Sequence, residues 1–86
     1  MKIMITGGAG FVGSHLCDKF LQDKHKITIV TRKTTDLKNV SHISKYLQIK
    51  RADITDYTKI GKIIDQVKPD VIIHLAGQTS HSQSFE

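Results

Sequence analysis

Cys17 is the only cysteine in 86 residues, so no disulfide framework can staple the chain and no set of thiolates can hold a metal. No apolar run approaches the ~20 residues that a membrane-spanning helix requires. Basic residues are numerous but nowhere dense. The 13 Lys and Arg are spread along the chain without interleaved aromatics, so a net charge of +5 does not mark a nucleic-acid surface. His15, His25, His42, His74 and His81 show no ligand spacing with carboxylates or a thiol. The N-terminus lacks a charged head followed by a secretory apolar core, which makes the cytoplasm the expected compartment. No metal, nucleic acid or membrane is therefore expected as a partner. What remains, 38% hydrophobic and 24% charged, is the composition of an ordinary globular chain whose core is marginal at this length.

The most informative stretch is Ile3-Met4-Ile5-Thr6-Gly7-Gly8-Ala9-Gly10-Phe11-Val12-Gly13. An apolar strand runs into three glycines at GxxGxxG spacing and then into an amphipathic helix. Gly7 lets the chain turn sharply off the strand. Gly10 removes a side chain where the backbone must approach a pyrophosphate, and Gly13 lets the helix pack closely on the sheet. The helix start presents N–H groups and a positive dipole end to phosphates.

Periodicity organises the rest. Lys2–Thr6 reads as a buried strand. Phe11 to about Asp23 reads as a helix with Val12, Leu16 and Phe20 on one face. Lys26–Thr31 is a second strand, Leu37, Val40 and Ile43 suggest a short helix, and Leu47–Arg51 is a third strand. Thr55 is the expected N-cap of a helix with Asp56 in its first turn. Ile60, Ile63, Ile64 and Val67 form that helix's stripe, and Pro69 stops it. Val71–Leu75 is a fourth strand. Apolar strands alternating with helices predict an α/β fold, a Rossmann-type doubly wound parallel sheet with strand order 3-2-1-4. Such a sheet leaves the flank of strand 4 unpaired, so residues 1–86 are expected to be the front piece of a longer protein.

Thr6-Gly7-Gly8-Ala9-Gly10-Phe11-Val12-Gly13-Ser14-His15-Leu16 resembles the opening of the extended short-chain dehydrogenase/reductase family of sugar-nucleotide epimerases and dehydratases. Arg51-Ala52-Asp53-Ile54-Thr55-Asp56 resembles that family's acidic turn after strand 3. His74-Leu75-Ala76-Gly77-Gln78-Thr79-Ser80 resembles its loop after strand 4. The resemblance implies that the N–H groups of Phe11 and Val12 hold the pyrophosphate. It gives the Asp53 carboxylate the adenine amino group, with Ile54 packed on the ring. Leu75, Ala76 and Gly77 would line the ribose and nicotinamide, while Gln78, Thr79 and Ser80 lie toward the reacting end. His81 is the one histidine to consider near a substrate. It further implies an NAD(P)-dependent enzyme, dimeric when complete, that takes a nucleotide sugar and moves a hydride to and from nicotinamide. Without family context, Asp53 reads equally well as a turn residue, and a non-catalytic cofactor-sensing or protein-interaction module on the same fold is the alternative.

The family's catalytic Tyr and Lys, four apart on one helix, would lie downstream of this stretch. Tyr46-Leu47-Gln48-Ile49-Lys50 matches that string, but it enters strand 3, where four residues span roughly 13 Å. No catalytic residue is therefore assigned within the chain, which is expected to be inert alone. Strand 2 ends in Thr31-Arg32-Lys33-Thr34, with no carboxylate before Asp36. An acidic residue at that place selects NAD, whereas Arg32 offers a donor fork and Lys33 a second charge to the 2′-phosphate of NADP. NADP is favoured over NAD.

Overall fold

A computed structural model of the chain describes residues 1–75. The elements are β1 (Lys2–Thr6), α1 (Phe11–Gln22), β2 (Lys26–Thr31), a 3₁₀ helix (Lys38–Tyr46), β3 (Leu47–Arg51), α2 (Tyr57–Val67) and β4 (Val71–His74). The four strands are all parallel in the order β3-β2-β1-β4, as the alternation of strands and helices predicts. The chain winds outward from β1 through β2 to β3, then returns to β1's other side as β4. That reversal puts a topological switch point between β1 and β4, and the crevice outside the strands' C-terminal ends is where such sheets hold ligands.

The register divides the side chains between two faces. Ile3 pairs with Ile27 and Ile5 with Ile29. These four, with Ala9, Cys17 and Val40, make one core layer against α1 and the 3₁₀ helix. Met4, Val30 and Ala52 face the other way and meet Ile63 and Val67 of α2. Leu37, Val40 and Ile43 recur every third residue, the repeat of a 3₁₀ helix rather than of an α-helix. Val40 at its centre is fully buried.

Two local expectations need correction. Val12 does not share the buried face of α1 with Leu16 and Phe20; it is 59% exposed. The contact line runs instead through Gly13 and Cys17, because a residue without a side chain at 13 lets the helix rest on the glycine loop. The N-cap of α2 is Asp56, whose side chain accepts from the Lys59 N–H at 3.1 Å. Thr55 lies one residue too early: the helix begins at Tyr57, and the Thr55 N–H and hydroxyl instead donate to the Asp53 carboxylate in the turn before it. At the sheet's other end β4 stops at His74, although the Leu75 N–H still donates to the Thr6 carbonyl at 3.0 Å. Val71 and Ile72 remain 38% and 46% exposed, so among the described residues the β4 flank is open.

Candidate dinucleotide site

The loop from Gly7 to Gly10 connects β1 to α1, and its glycines have different reasons to be glycine. Gly7 has φ 77°, a left-handed conformation that side chains disfavour. Its N–H donates to the Val30 carbonyl at 2.8 Å, which ties the turn to β2. A Cβ on Gly8 would fall 2.8 Å from the Cβ of Ile29, with its Cγ2 nearer still. A Cβ on Gly13 would lie 2.6 Å from the Gly8 Cα and 2.7 Å from the Gly7 carbonyl oxygen. Both positions are closed by the chain itself. Gly10 is different. Its φ of −74° and ψ of 177° suit any residue, and among the described residues a Cβ there would meet nothing nearer than the Gly7 carbonyl oxygen at 3.6 Å. Gly10 is exposed, and the space beside it is open.

That space faces the start of α1. Gly10 is the N-cap and supplies no side-chain cap, and the first turn carries no acidic residue. The N–H groups of Phe11 and Val12 find no acceptor among the described residues. The Phe11 ring is 72% exposed and meets His15 edge-on at 4.5 Å. Beneath the loop, Cys17 is buried with its Sγ 4.0 Å from the Gly8 carbonyl. Burial, and then the neighbouring Asp18 charge, push its thiol up to about 11, so it is a packing group rather than a nucleophile.

A second concavity, about 350 Å³ in volume, lies where β2 and β3 end, with Arg32, Lys33, Arg51, Asp53 and Lys59 on its walls. The structure thus brings together Arg32, Lys33 and Asp53, which the sequence singles out separately. Asp53 is exposed; its Oδ1 accepts from the Thr55 N–H at 3.0 Å and the Thr55 hydroxyl at 2.8 Å. The N–H bond, then the hydroxyl, hold its carboxyl below the usual carboxylate range, and the Arg32 charge adds to this. Only one oxygen is so engaged, so the turn role and a ligand role are compatible. Ile54 follows it, half-buried. Thr31, by contrast, is buried, and its hydroxyl accepts from Arg51 at 3.2 Å rather than facing the concavity. Leu75 is half-buried against the α1-side core. Ala76, Gly77, Gln78, Thr79, Ser80 and His81 lie outside the described residues.

Three residues escape sequence reasoning. Gly8 is a packing glycine that the GxxGxxG spacing passes over. Arg51 is the register partner of Thr31, a position visible only once β2 and β3 are aligned. His74 reads as a core histidine but is exposed, and its Nδ1 is hydrogen-bonded to the Thr6 hydroxyl at 2.8 Å across the switch point. Tyr46 ends the 3₁₀ helix, with the Lys45 Nζ 5.2 Å from its ring centroid. It borders a cavity at the strands' N-terminal ends with Lys2 and Lys24, at the opposite end of the sheet from the glycine loop. Among the described residues no group of His, Cys, Asp and Glu is placed to hold a metal ion, and no helix is long and apolar enough to cross a membrane.

The sequence profile of the NAD dependent epimerase/dehydratase family matches residues 3–86. The chain belongs to this family. Within it, a dTDP-glucose 4,6-dehydratase of Salmonella typhimurium is 33% identical over 91 aligned residues, covering 99% of this chain and 25% of the relative. A UDP-glucose 4-epimerase of Mycolicibacterium smegmatis is 34% identical over 90 residues, covering all of this chain and 28% of the relative. Among solved structures, dTDP-glucose 4,6-dehydratase of Bacillus anthracis in complex with NAD superposes with a TM-score of 0.81 at 28% identity, covering 91% of this chain and 27% of that one. The chain spans about a quarter of the length of these family members. Rossmann-fold epimerases and dehydratases are thus its neighbours in both sequence and fold.

Proposed function

We propose that this chain is the nicotinamide-dinucleotide-binding front part of a longer sugar-nucleotide epimerase, dehydratase or reductase. One observation carries the reading. Among the described residues nothing requires Gly10 to be glycine, yet it borders the uncapped, positive end of α1. A pyrophosphate set against the N–H groups of Phe11 and Val12 would fill that space and neutralise that end. The Asp53 Oδ2 and the side chain of Ile54 would take the adenine, and Leu75, Ala76 and Gly77 the ribose and nicotinamide. Arg32 and Lys33 favour NADP over NAD. A bound nicotinamide supplies the hydride acceptor and donor. This segment's own work is to hold the phosphates at the glycine loop and direct the reactive ring toward the β1–β4 switch point.

The relatives' names support a nucleotide sugar as the substrate. The catalytic Tyr and Lys are proposed to lie beyond Glu86, in a cytoplasmic enzyme that is homodimeric when complete. Residues 1–86 alone are then inert; turnover of a nucleotide sugar by them, abolished by Tyr46→Phe, would contradict this. Calorimetric titration of the full-length protein with NADP and NAD, beside a Gly10→Val variant, tests the binding reading. The wild type should bind, and the folded variant should bind neither dinucleotide. Unchanged affinity in a folded Gly10→Val variant would remove the claim.

A further inference from the structure

Arg32 and Lys33, the cations that the sequence offers to a phosphate, are exposed on the turn after β2 and make no ion pair within 4.0 Å among the described residues, although the Arg32 charge acts on Asp53. Exposed side chains that no hydrogen bond holds must be ordered before they hold anything. Arg51, on the neighbouring strand, is already ordered. Its Nη1 shares two N–H groups among three acceptors, the Arg32 carbonyl at 2.7 Å, the Thr35 carbonyl at 3.1 Å and the Thr31 hydroxyl at 3.2 Å. One guanidinium corner thereby fastens the whole turn from 31 to 35 to the end of β3. A guanidinium carries five N–H donors, two of them on Nη1. The three on Nη2 and Nε have no protein acceptor among the described residues.

Nor is the charge neutralised. The sole ion pair within 4.0 Å among the described residues is His42 with Asp18, on the α1 side. The carboxylates on the walls of the concavity are Asp53 and Asp56, and each commits an oxygen to local backbone: Asp53 to the Thr55 turn, Asp56 to the cap of α2. Lys59, from the first turn of α2, brings a further cation to the same walls. A ribose hydroxyl would look for a carboxylate here. Asp53 and Asp56 are present, but cations outnumber them: a fixed planar fork with unspent donors beside the exposed Arg32, Lys33 and Lys59 is a set suited to a dianionic phosphate.

We propose that Arg51 is the residue that determines cofactor preference, holding the 2′-phosphate of NADP through Nη2 and Nε while Nη1 keeps the Arg32–Lys33 turn in place. The inference rests on the dinucleotide reading above. It differs from that reading in placing the decisive charge on β3 rather than on the turn after β2. Preorganisation is the reason: a cation already fixed by three hydrogen bonds gives up less freedom on binding than Arg32 or Lys33 does.

The test is calorimetric affinity for NADP and for NAD in the full-length protein, compared among wild type, Arg51→Met, Arg51→Lys and Arg32→Ala, with circular dichroism as the fold check. The wild type should bind NADP more tightly. Arg51→Met should weaken NADP at least about tenfold more than NAD, with Arg51→Lys intermediate and Arg32→Ala shifting the ratio less. A purely structural tether would weaken both cofactors alike. Equal loss, no loss, tighter NAD binding by the wild type, or a larger ratio shift from Arg32→Ala would each overturn the proposal. If Arg51→Met does not fold, Arg51→Lys decides: selective loss of NADP supports the assignment, and an unchanged ratio ends it. Binding of neither dinucleotide by the wild type would instead defeat the underlying reading. Binding of both with a ratio indifferent to Arg51 would defeat only this inference.

Discussion

The phosphate end and the ribose end of the candidate site are built from different materials. Around Gly7 to Gly13 the working groups are backbone: a left-handed turn, two closed packing positions, one open position and an uncapped helix start. Where β2 and β3 end they are side chains, with Arg32, Lys33, Arg51, Asp53 and Lys59 meeting around one concavity. Backbone sites depend on where side chains are absent. Side-chain sites depend on which strands lie next to each other. The first kind is local in sequence and tolerates little change; the second draws on residues some twenty positions apart and can be retuned one charge at a time.

Perturbing the two ends should therefore fail differently, and the largest effect belongs to the closed glycines. Gly13→Val would force branched atoms into the Gly8 Cα and the Gly7 carbonyl. It should lose about 3 kcal/mol in denaturant titration, as overpacking against backbone does. Stability within a few tenths of wild type would mean that the helix does not rest on the loop. Gly8→Ala presses on Ile29, a side chain rather than backbone, and should cost about 1–2 kcal/mol. A cost equal to that of Gly13→Val would erase the ranking of the two contacts.

Gly61 in α2 calibrates what a glycine costs when neither ligand nor packing asks for one. Among the described residues nothing lies within 4 Å of its missing Cβ. Gly61→Ala should stabilise the fold by about 1 kcal/mol, read as a higher denaturation midpoint with unchanged m-value. Destabilisation would show an unseen constraint on α2.

The smallest effect sits at the ribose end. Asp53 is held below its ordinary value of 3.8 by the Thr55 N–H and hydroxyl. A carboxyl lowered by folding contributes stability that is present above its unfolded value and lost as pH falls through its folded value. Thermal melts of wild type and Asp53→Asn should therefore differ at neutral pH and converge below pH 3.8. A difference that persists undiminished in acid would detach the turn from the carboxylate's charge.

How much of this could be read from the sequence follows the same division. All four strands, their order and the glycine loop are local patterns, and the structure places them where alternation and spacing put them. The repeat of Leu37, Val40 and Ile43 suggests a short helix, and the structure gives it the 3₁₀ form. Competition between neighbours is harder to see. Thr55 has the chemistry of an N-cap, yet the helix begins one residue later, so Asp56 caps it while Thr55 donates to Asp53 in the preceding turn. Val12 fits the apolar stripe of α1, yet the contact line passes through a residue with no side chain. Arg51 is one more basic residue until the β2–β3 register sets it beside Thr31. Local chemistry is legible; which of two candidates wins a shared partner is a tertiary result.

The central claim is that Gly10 is glycine for a ligand, whereas Gly13 is glycine for the fold. Gly10→Ala and Gly13→Ala in the full-length protein, each measured for thermal stability and for dinucleotide affinity, put that claim to trial. Gly10→Ala should melt with the wild type and bind about tenfold or more weakly, while Gly13→Ala should melt earlier. A Gly10→Ala protein that melts early yet keeps its dinucleotide affinity would contradict the account.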